Sequence, residues 1–455
     1  MRALSLLAAS TDLLPAREQM GFTLGFHIVL ASLGVALPAI TLIANWRGVR
    51  GDRDALKLAR RWSRVMAVLF AVGAVTGTVL SFELGLLWPG MMRRFGDVFG
   101  VGFAIEGLFF FTEAIFIAIY IYGWERLSPR AHLLTGVPIV IAGIGGAFSV
   151  VAANSWMNQP TGYTLDKAGN VTDVNPVDVL FNGATGYEVP HMILAAYMVA
   201  GFLVASVYAV GMLRGRRDRY HRLGFVIPFT VAAIATPVQL LVGDTAARAI
   251  ADHQPSKFAA MEYVTESGGH QPEYIGGFYV NGNVKGGLKI PDLDSLLVGF
   301  SPDTNVTGLD QIPTEDQAPA PTLLHLCFDA MVGIGSGLLL LGVWFAVVWW
   351  RRRELPRSVW FLRAGAVSGV AAILALECGW IVTEVGRQPW IVYRVMRTSD
   401  AVTTAGGIWW TLAGTIVLYA ILGVASVIVL RGMSRRWREQ EITDQDVPYG
   451  PQEAA

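Results

Sequence analysis

Long apolar runs, separated by short polar and basic segments, dominate the pattern of this chain. A helix needs about 20 mostly apolar residues to cross the hydrocarbon core of a bilayer. The pattern therefore predicts an all-α, polytopic membrane protein that folds as a transmembrane bundle of nine helical spans. These spans, numbered 1 to 9, lie at about 19–45, 64–87, 98–123, 133–153, 189–213, 223–243, 322–350, 359–384 and 405–430.

Basic residues concentrate between alternate spans and predict the orientation of the bundle. Of the 35 Lys and Arg residues, 23 lie between spans 1 and 2, 3 and 4, 5 and 6, or 7 and 8, or after span 9. Loops rich in Lys and Arg stay in the cytoplasm. We therefore predict that the N-terminus is outside and the C-terminus is cytoplasmic.

The spans and loops divide the chain into four segments. Spans 1–6 occupy residues 1–243, a long extracytoplasmic loop occupies 244–321, spans 7–9 occupy 322–430, and a cytoplasmic tail occupies 431–455. The loop is rich in Gly, Pro and Asp without a long periodic segment, and a loop of this length is usually functional or disordered. Residues 1–16 are predicted as an interfacial lead-in, with a cleaved signal peptide as the alternative.

Composition agrees with a chain embedded in lipid. Charged residues make up 15% and hydrophobic residues 53%, whereas a soluble domain carries about a quarter charged residues. The net charge of zero gives no indication of a nucleic-acid partner. The two cysteines, Cys327 and Cys378, lie in apolar runs, which excludes a disulfide scaffold and a Cys-rich zinc or iron–sulfur site.

Ionisable side chains within the spans mark candidate functional positions, because each costs at least about 2.5 kcal/mol at mid-bilayer. Together with one methionine, they place five candidates in the outer half of the bilayer on five helices: His27, Glu106, His191, Met331 and Glu384. Histidine with methionine, or histidine alone, provides axial ligands to haem iron. Taken singly, each is also explained by a hydrogen-bonded histidine, a packed methionine or a snorkelling glutamate. Their shared depth favours haem.

A second feature is the pair of carboxyls on span 3. Glu106 and Glu113 are seven residues apart, which is two helical turns, so they share one face of the helix. Two carboxyls stacked along a span suit a proton relay. They equally suit packed carboxylic acids that burial keeps neutral.

One segment carries a specific resemblance to a known family. Residues 377–390 read ECGWIVTEVGRQPW, and they closely resemble the most distinctive segment of the cytochrome bd oxidase subunit I family. Further similar segments follow the family's order over most of residues 15–400: the pair Arg17 and His27, FGDVFG and AIEGL (95–108), NSWM (154–157), KFAAME (257–262) and MVG (331–333).

The resemblance implies the haem-bearing catalytic subunit of a terminal oxidase in the bacterial or archaeal cytoplasmic membrane. Such an enzyme oxidises quinol at the outer face and reduces O2 to water with protons from the cytoplasm. The implied cofactors are a low-spin haem b, a high-spin haem b and a haem d. The implied partners are subunit II of the oxidase and, in some members, a small single-span subunit.

The resemblance also implies roles for individual residues. His191 and Met331 would ligate the low-spin haem b. His27 and Glu384 would serve the two high-spin haems, and which haem each serves stays open. Arg17 and Asn154 would belong to the cofactor-binding residues.

The other implied roles concern protons, haem surroundings and quinol. Glu106 would lie beside the high-spin haems, and Glu113 would pass protons toward them. Trp380 and Arg387 would pack on or pair with the haems, and an arginine suits propionates because it offers a bidentate fork. In the long loop, the residues that face quinol would be Lys257 and Glu262.

Two departures from the family leave alternatives open. The span 3 glutamates are separated by seven positions instead of eight, and Asp329 occupies a position that is commonly basic. One alternative is therefore a bd-like oxygen reductase with another electron donor or haem content. Another is an ion channel or transporter without haem, with Glu83, Glu106 and Glu113 as its path. A haem–copper oxidase is disfavoured because few histidines lie at suitable depth.

Overall fold

The computed structural model of the chain describes the backbone of residues 2–442 and the side chains of residues 13–439. In this part of the chain, nine helices are long and apolar enough to span a membrane, as the hydropathy pattern predicted. In order, they are α1 (Arg2–Val49), α2 (Arg53–Leu87), α3 (Pro89–Gly123), α4 (Pro129–Asn158), α6 (Thr185–Leu213), α7 (Arg219–His253), α10 (Pro321–Arg352), α11 (Val359–Gly386) and α13 (Ile408–Ile442).

Short elements occupy the connections between these helices. The short helices are α5 (Pro176–Leu180), α8 (Pro255–Glu262), α9 (Leu293–Gly299) and α12 (Thr398–Ala401). The antiparallel strand pairs are β1 (Thr164–Leu165) with β2 (Val171–Thr172), β3 (Glu273–Ile275) with β6 (Leu288–Ile290), β4 (Phe278–Val280) with β5 (Asn283–Lys285), and β7 (Trp390–Val392) with β8 (Met396–Arg397).

Several predicted boundaries differ from the observed ones. Helix α7 continues to His253, ten residues beyond the predicted span, and the long loop then folds into α8, β3–β6 and α9. Helix α3 begins at Pro89, directly after Trp88, and the backbone of the predicted lead-in is already helical from Arg2. Hydropathy locates the apolar part of a helix, whereas its polar ends continue into water. Residue 1 of the lead-in and residues 443–455 of the predicted tail lie outside the described residues.

Charged side chains join the connection between spans 1 and 2 to the connection between spans 5 and 6, and both were predicted to be cytoplasmic. Asp52 caps α2 by accepting a hydrogen bond from the Ala55 backbone N–H, as helix N-caps commonly do. Arg219, the first residue of α7, donates to both carboxylate oxygens of Asp52, at 2.6 and 2.9 Å. This pairing lowers the pKa of Asp52 to about 2. The two connections therefore lie on one side of the bundle.

The helices differ in how much of their surface the bundle covers. Helix α6 packs against α1, α4, α7 and α11, and the most apolar windows of α1 and α6 are 50% buried. The corresponding windows of α2, α3 and α13 are only 11% buried. These three helices form the periphery, and their apolar faces are available to lipid or to another membrane subunit.

An aromatic cluster fills the bundle at the end opposite to the long loop. The buried rings of Phe202, Phe225, Phe229, Phe345 and Phe361 come from α6, α7, α10 and α11. Phe225 and Phe229 stack with ring centroids 4.8 Å apart, and Phe229 meets Phe345 at 5.1 Å. Open space between the same four helices lies toward the end that carries the loop, which we call the loop end.

Candidate functional site

A large cavity lies at the loop end of the bundle. Its volume is about 370 Å³, which is within the range of about 300–1,000 Å³ typical of cofactor and ligand pockets. Six of the twelve predicted site residues line it: Asn154, His191, Lys257, Glu262, Met331 and Trp380. The other six lie outside its lining: Arg17, His27, Glu106, Glu113, Glu384 and Arg387.

His191 and Met331 face this cavity from α6 and α10. The Nδ1 atom of His191 is buried and has no hydrogen-bond partner among the described residues. Glycines lie against both side chains: a Cβ on Gly243 would be 3.3 Å from His191 Cε1, and a Cβ on Gly379 would be 3.0 Å from Met331 Sδ. A free imidazole and a thioether in one cavity fit the axial ligand set of a haem iron.

Glu384 and Arg387 form an ion pair at the end of α11, where Arg387 is the first residue after the helix. Arg387 Nη2 donates to Glu384 Oε2 at 2.6 Å, and Asn154 Nδ2 donates to Glu384 Oε1 at 2.7 Å. Arg387 is 2% exposed, yet its Nε and Nη1 atoms have no acceptor among the described residues. Two buried, unpaired guanidinium donors fit an additional anionic group, such as a haem propionate.

Lys257 is buried beside this ion pair, at the start of the long loop. Its Nζ lies 3.5 Å from Asn158 Oδ1, and Asn158 Nδ2 donates to Glu188 Oε1 at 2.9 Å. Burial lowers the pKa of Lys257 to about 8, although the charge of Glu188 opposes this change. The lysine therefore titrates close to neutral pH, which suits a group that exchanges protons with a ligand.

Three carboxyls of the long loop meet at the wall of the cavity. Oxygen atoms of Glu262, Glu273 and Asp294 all lie within 4.8 Å of one another. Burial raises the pKa of all three, to about 7 for Glu273, to about 8 for Asp294 and well above the ordinary range for Glu262. Glu262 was a predicted site residue, whereas the other two were not.

Asp329 fastens the long loop to α10. Its Oδ2 accepts a hydrogen bond of 2.5 Å from the Gly276 backbone N–H and lies 3.3 Å from Nε2 of His325. His325 is fully buried; its Nδ1 lies 2.7 Å from the Met261 carbonyl oxygen, and its ring stacks on Tyr263 at 3.8 Å. The aspartate that departs from the family pattern thus has a structural role in holding the loop.

His27 lies in a separate place, on the interface between α1 and α2. Its Nδ1 is 2.9 Å from Thr76 Oγ1, and a Cβ on Gly77 would be 3.0 Å from its Cε1. Near it on α1, a Cβ on Gly25 would be 3.1 Å from Oε2 of Glu377 on α11. The other oxygen of Glu377 is buried without a partner among the described residues, so this carboxyl is a further candidate.

The remaining intramembrane carboxyls lie on α2 and α3. Glu106 and Glu113 are half-buried, and neither side chain hydrogen-bonds to another described residue. Glu83 is buried and its Oε1 accepts hydrogen bonds from Gln19 at 2.8 Å and from Thr23 at 3.0 Å. Glu83 therefore joins α2 to α1, while the two α3 carboxyls keep their hydrogen-bonding capacity.

The sequence analysis missed several residues of the site. Glu188 is three positions before His191, and the cost of a charge at the start of a span could have identified it. Glu377 is seven positions before Glu384 and so shares its helix face. Glu273 and Asp294 carry no local signal, because only the folding of the loop brings them to Glu262.

Comparison with known proteins identifies relatives over nearly the whole chain. Residues 15–437 match the family described as "Cytochrome bd terminal oxidase subunit I". The chain is 31% identical to "Cytochrome bd ubiquinol oxidase subunit 1" of Bacillus subtilis (strain 168) over 458 residues, which cover 96% of each chain. It is 26% identical to "Cytochrome bd-II ubiquinol oxidase subunit 1" of Escherichia coli (strain K12) over 493 aligned residues, 92% of this chain and 96% of that protein.

A solved structure has the same fold. The bd oxidase from Geobacillus thermodenitrificans superposes with a TM-score of 0.87 at 35% sequence identity. The superposition covers 93% of this chain and 98% of the other.

Proposed function

This chain belongs to the cytochrome bd terminal oxidase subunit I family, and from this premise we propose how its own residues serve the reaction. It is a membrane-embedded subunit of a quinol:oxygen oxidoreductase, and the family binds haems and works with a partner subunit. Membership in an oxidase family is at odds with the channel or transporter alternative. The finer assignments below are proposals.

The cavity that joins His191, Met331 and Trp380 to Lys257 and Glu262 is the observation that carries the proposal. His191 and Met331 would hold a low-spin haem b, and Trp380 would pack against it. When bound, the haem supplies one-electron transfer. Because Lys257 and Glu262 share the cavity, a quinol docked at these residues would lie beside the electron acceptor.

Quinol oxidation needs groups that receive protons as electrons leave. Each quinol loses two electrons and two protons to become a quinone, and reduction of O2 to two waters consumes four of each. Lys257, with its pKa lowered to about 8, exchanges a proton near neutral pH. We assign Lys257 and Glu262 to quinol binding at the outer face of the membrane, with Lys257 as the proton acceptor.

Oxygen reduction would take place at high-spin haems held by His27 and Glu384, one a haem b and the other a haem d. Arg387 would pair with a propionate through its unpaired donors, Asn154 would orient Glu384 through its 2.7 Å hydrogen bond, and Arg17 would add positive charge nearby. Glu106 and Glu113 would deliver protons from the cytoplasmic side. Proton uptake from the cytoplasmic side and proton release at the outer face would together build a membrane potential without a proton pump.

The proposed setting is the cytoplasmic membrane, with the N-terminus outside and the loop end facing outward. Subunit II would cover part of the exposed periphery of α2, α3 and α13, and a small single-span subunit would be a further partner. Of the small residues that we considered as contacts with a partner helix, Gly337 of α10 is exposed and remains a candidate. Gly335 is not one, because it is buried at the cavity, and Gly406 and Gly407 precede α13.

A reduced-minus-oxidised visible spectrum of the purified complex, combined with haem extraction, tests the proposal. We expect b-type bands together with the red band of a chlorin, and loss of the low-spin b band in His191→Ala with retention of the chlorin band. A wild-type complex without a chlorin band would contradict the haem d assignment. An unchanged low-spin band in His191→Ala would contradict the ligand assignment.

A further inference from the structure

The three loop carboxyls Glu262, Glu273 and Asp294 come from three separate elements. Glu262 is the last residue of α8, Glu273 is the first residue of β3, and Asp294 is the second residue of α9. The loop therefore brings together acidic side chains that are 11 and 21 residues apart along the chain. Like charges repel at this distance, so the arrangement calls for a compensating group.

Two of the three side chains are shielded from bulk water, whereas Glu273 is partly exposed. Glu262 is 4% exposed and Asp294 is 1% exposed. One oxygen of each of the three carboxyls is buried and has no hydrogen-bond partner among the described residues. A buried polar oxygen without a hydrogen-bond partner is costly, which points to a ligand in contact with these oxygens.

Positive side chains of the chain do not supply this partner. Among the described residues, no lysine, arginine or histidine forms an ion pair with any of the three carboxyls. Arg248 also lines the cavity, but its guanidinium pairs with Asp244 and lies over the ring of Phe300 at 4.0 Å. His325 is engaged by Asp329.

We propose that Glu262, Glu273 and Asp294 bind a hard divalent cation, with Ca²⁺ as the best match. Ca²⁺ takes carboxylate, carbonyl and water oxygens at about 2.3–2.6 Å, so two ligands of one ion are at most about 5 Å apart. The limit of 4.8 Å between the three oxygens meets this condition. The remaining ligands would be waters of the adjoining cavity.

Such an ion would tie α8, β3 and α9 to one another and so hold the loop in its folded form. Because it binds the folded loop and not the unfolded one, it stabilises the folded state by RT ln(1 + c/Kd), where c is the free Ca²⁺ concentration. The inference goes beyond the proposed function, since ion binding is measured without quinol or oxygen. Failure of the quinol assignment and failure of the cation site are therefore separate results.

Isothermal titration of Ca²⁺ into the EGTA-treated, haem-loaded complex in detergent tests the site. We expect one Ca²⁺ per chain, bound at least about tenfold more weakly by Asp294→Asn and by Glu273→Gln, because ligand charge tunes such sites. Glu266→Gln is the matched control, since Glu266 is an exposed carboxylate of the same loop. The haem spectrum of each variant verifies that it has folded.

Protease protection of the wild-type loop gives a measurement that needs no variant. We expect Ca²⁺ to slow cleavage within residues 262–294 relative to EGTA, and Mg²⁺ to do so less. Absence of Ca²⁺ binding in the wild type, or equal affinity in Asp294→Asn and Glu266→Gln, would overturn the proposal. Equal cleavage rates in Ca²⁺ and EGTA would overturn it as well.

Discussion

Replacing Glu188 by Gln should shift the pH dependence of quinol oxidation through Lys257. Lys257 is 2% exposed, and burial already lowers its pKa to about 8. The other charges around it are Glu188, which raises this pKa, Arg387, which lowers it, and Glu384, which raises it. Loss of the Glu188 charge removes the largest influence that favours the ammonium form, so the pKa of Lys257 should fall.

The size of the expected pKa shift follows from the hydrogen-bonded path between Lys257 and Glu188. Asn158 lies between them, 3.5 Å from Lys257 Nζ and 2.9 Å from Glu188 Oε1. Two unit charges roughly 7 Å apart at an effective dielectric constant of about 20 interact by about 2 kcal/mol. This energy corresponds to between about one and two pH units. Glutamine can still accept the hydrogen bond from Asn158, so the geometry is retained.

The assay is quinol-dependent oxygen consumption by the purified complex between pH 5.5 and 9, reported as kcat/KM. In the wild type we expect kcat/KM to change with pH around an apparent pKa near 8, which gives one limb of the pH profile. In Glu188→Gln we expect this limb to move to lower pH by one to two units. Lys257→Met should abolish this limb, and Glu266→Gln should leave it in place. A limb that stays near pH 8 in Glu188→Gln, or moves upward, would refute the electrostatic reasoning.

Three further changes probe the other parts of the site. Gly379→Ala should weaken or shift the low-spin haem band, because its Cβ would lie 3.0 Å from Met331 Sδ. The control Gly333→Ala, which has open space around it, should leave the band unchanged, and equal spectra of the two variants would contradict the reasoning. Arg387→Lys should lower the haem content measured by extraction, because lysine lacks the planar fork; full haem content would argue against a propionate contact. Glu113→Gln should slow oxygen consumption at saturating quinol, and an unchanged rate would exclude it as a required relay.

The architecture of the spans was predictable because the bilayer imposes one strong rule. Every backbone group within the hydrocarbon must be satisfied inside the segment, so each long apolar run reads directly as a helix, and all nine were found. The ends were not predictable from the same signal. Helix α7 runs on to His253 through Asp244, Arg248 and Asp252, because polar residues continue a helix once it has left the lipid.

The candidate site was predictable only where its residues lie on spans. His191 and Met331 share one cavity wall because their depths in α6 and α10 match. Asp329 shows the limit of such reasoning. The sequence suggests a changed charge near the low-spin haem, whereas the side chain contacts Gly276 of the loop and His325 of α10. Contacts between a loop and a helix depend on how the loop folds, and the helical spacing of apolar residues does not predict that fold.

The distribution of polar and apolar groups makes the two ends of the four central helices chemically different. At one end of the four central helices, aromatic rings such as Phe229 and Phe361 pack against one another. At the loop end, Lys257, Glu262 and Arg387 are buried around or beside the cavity. Among the described residues of this cluster no side chain is a proton acceptor, so a proton that leaves a quinol at Lys257 finds its nearest titratable groups at the loop end. Proton uptake for oxygen reduction then needs a separate route, and the carboxyls of Glu106 and Glu113 on α3, which lie outside this cluster, are the residues that we propose for it.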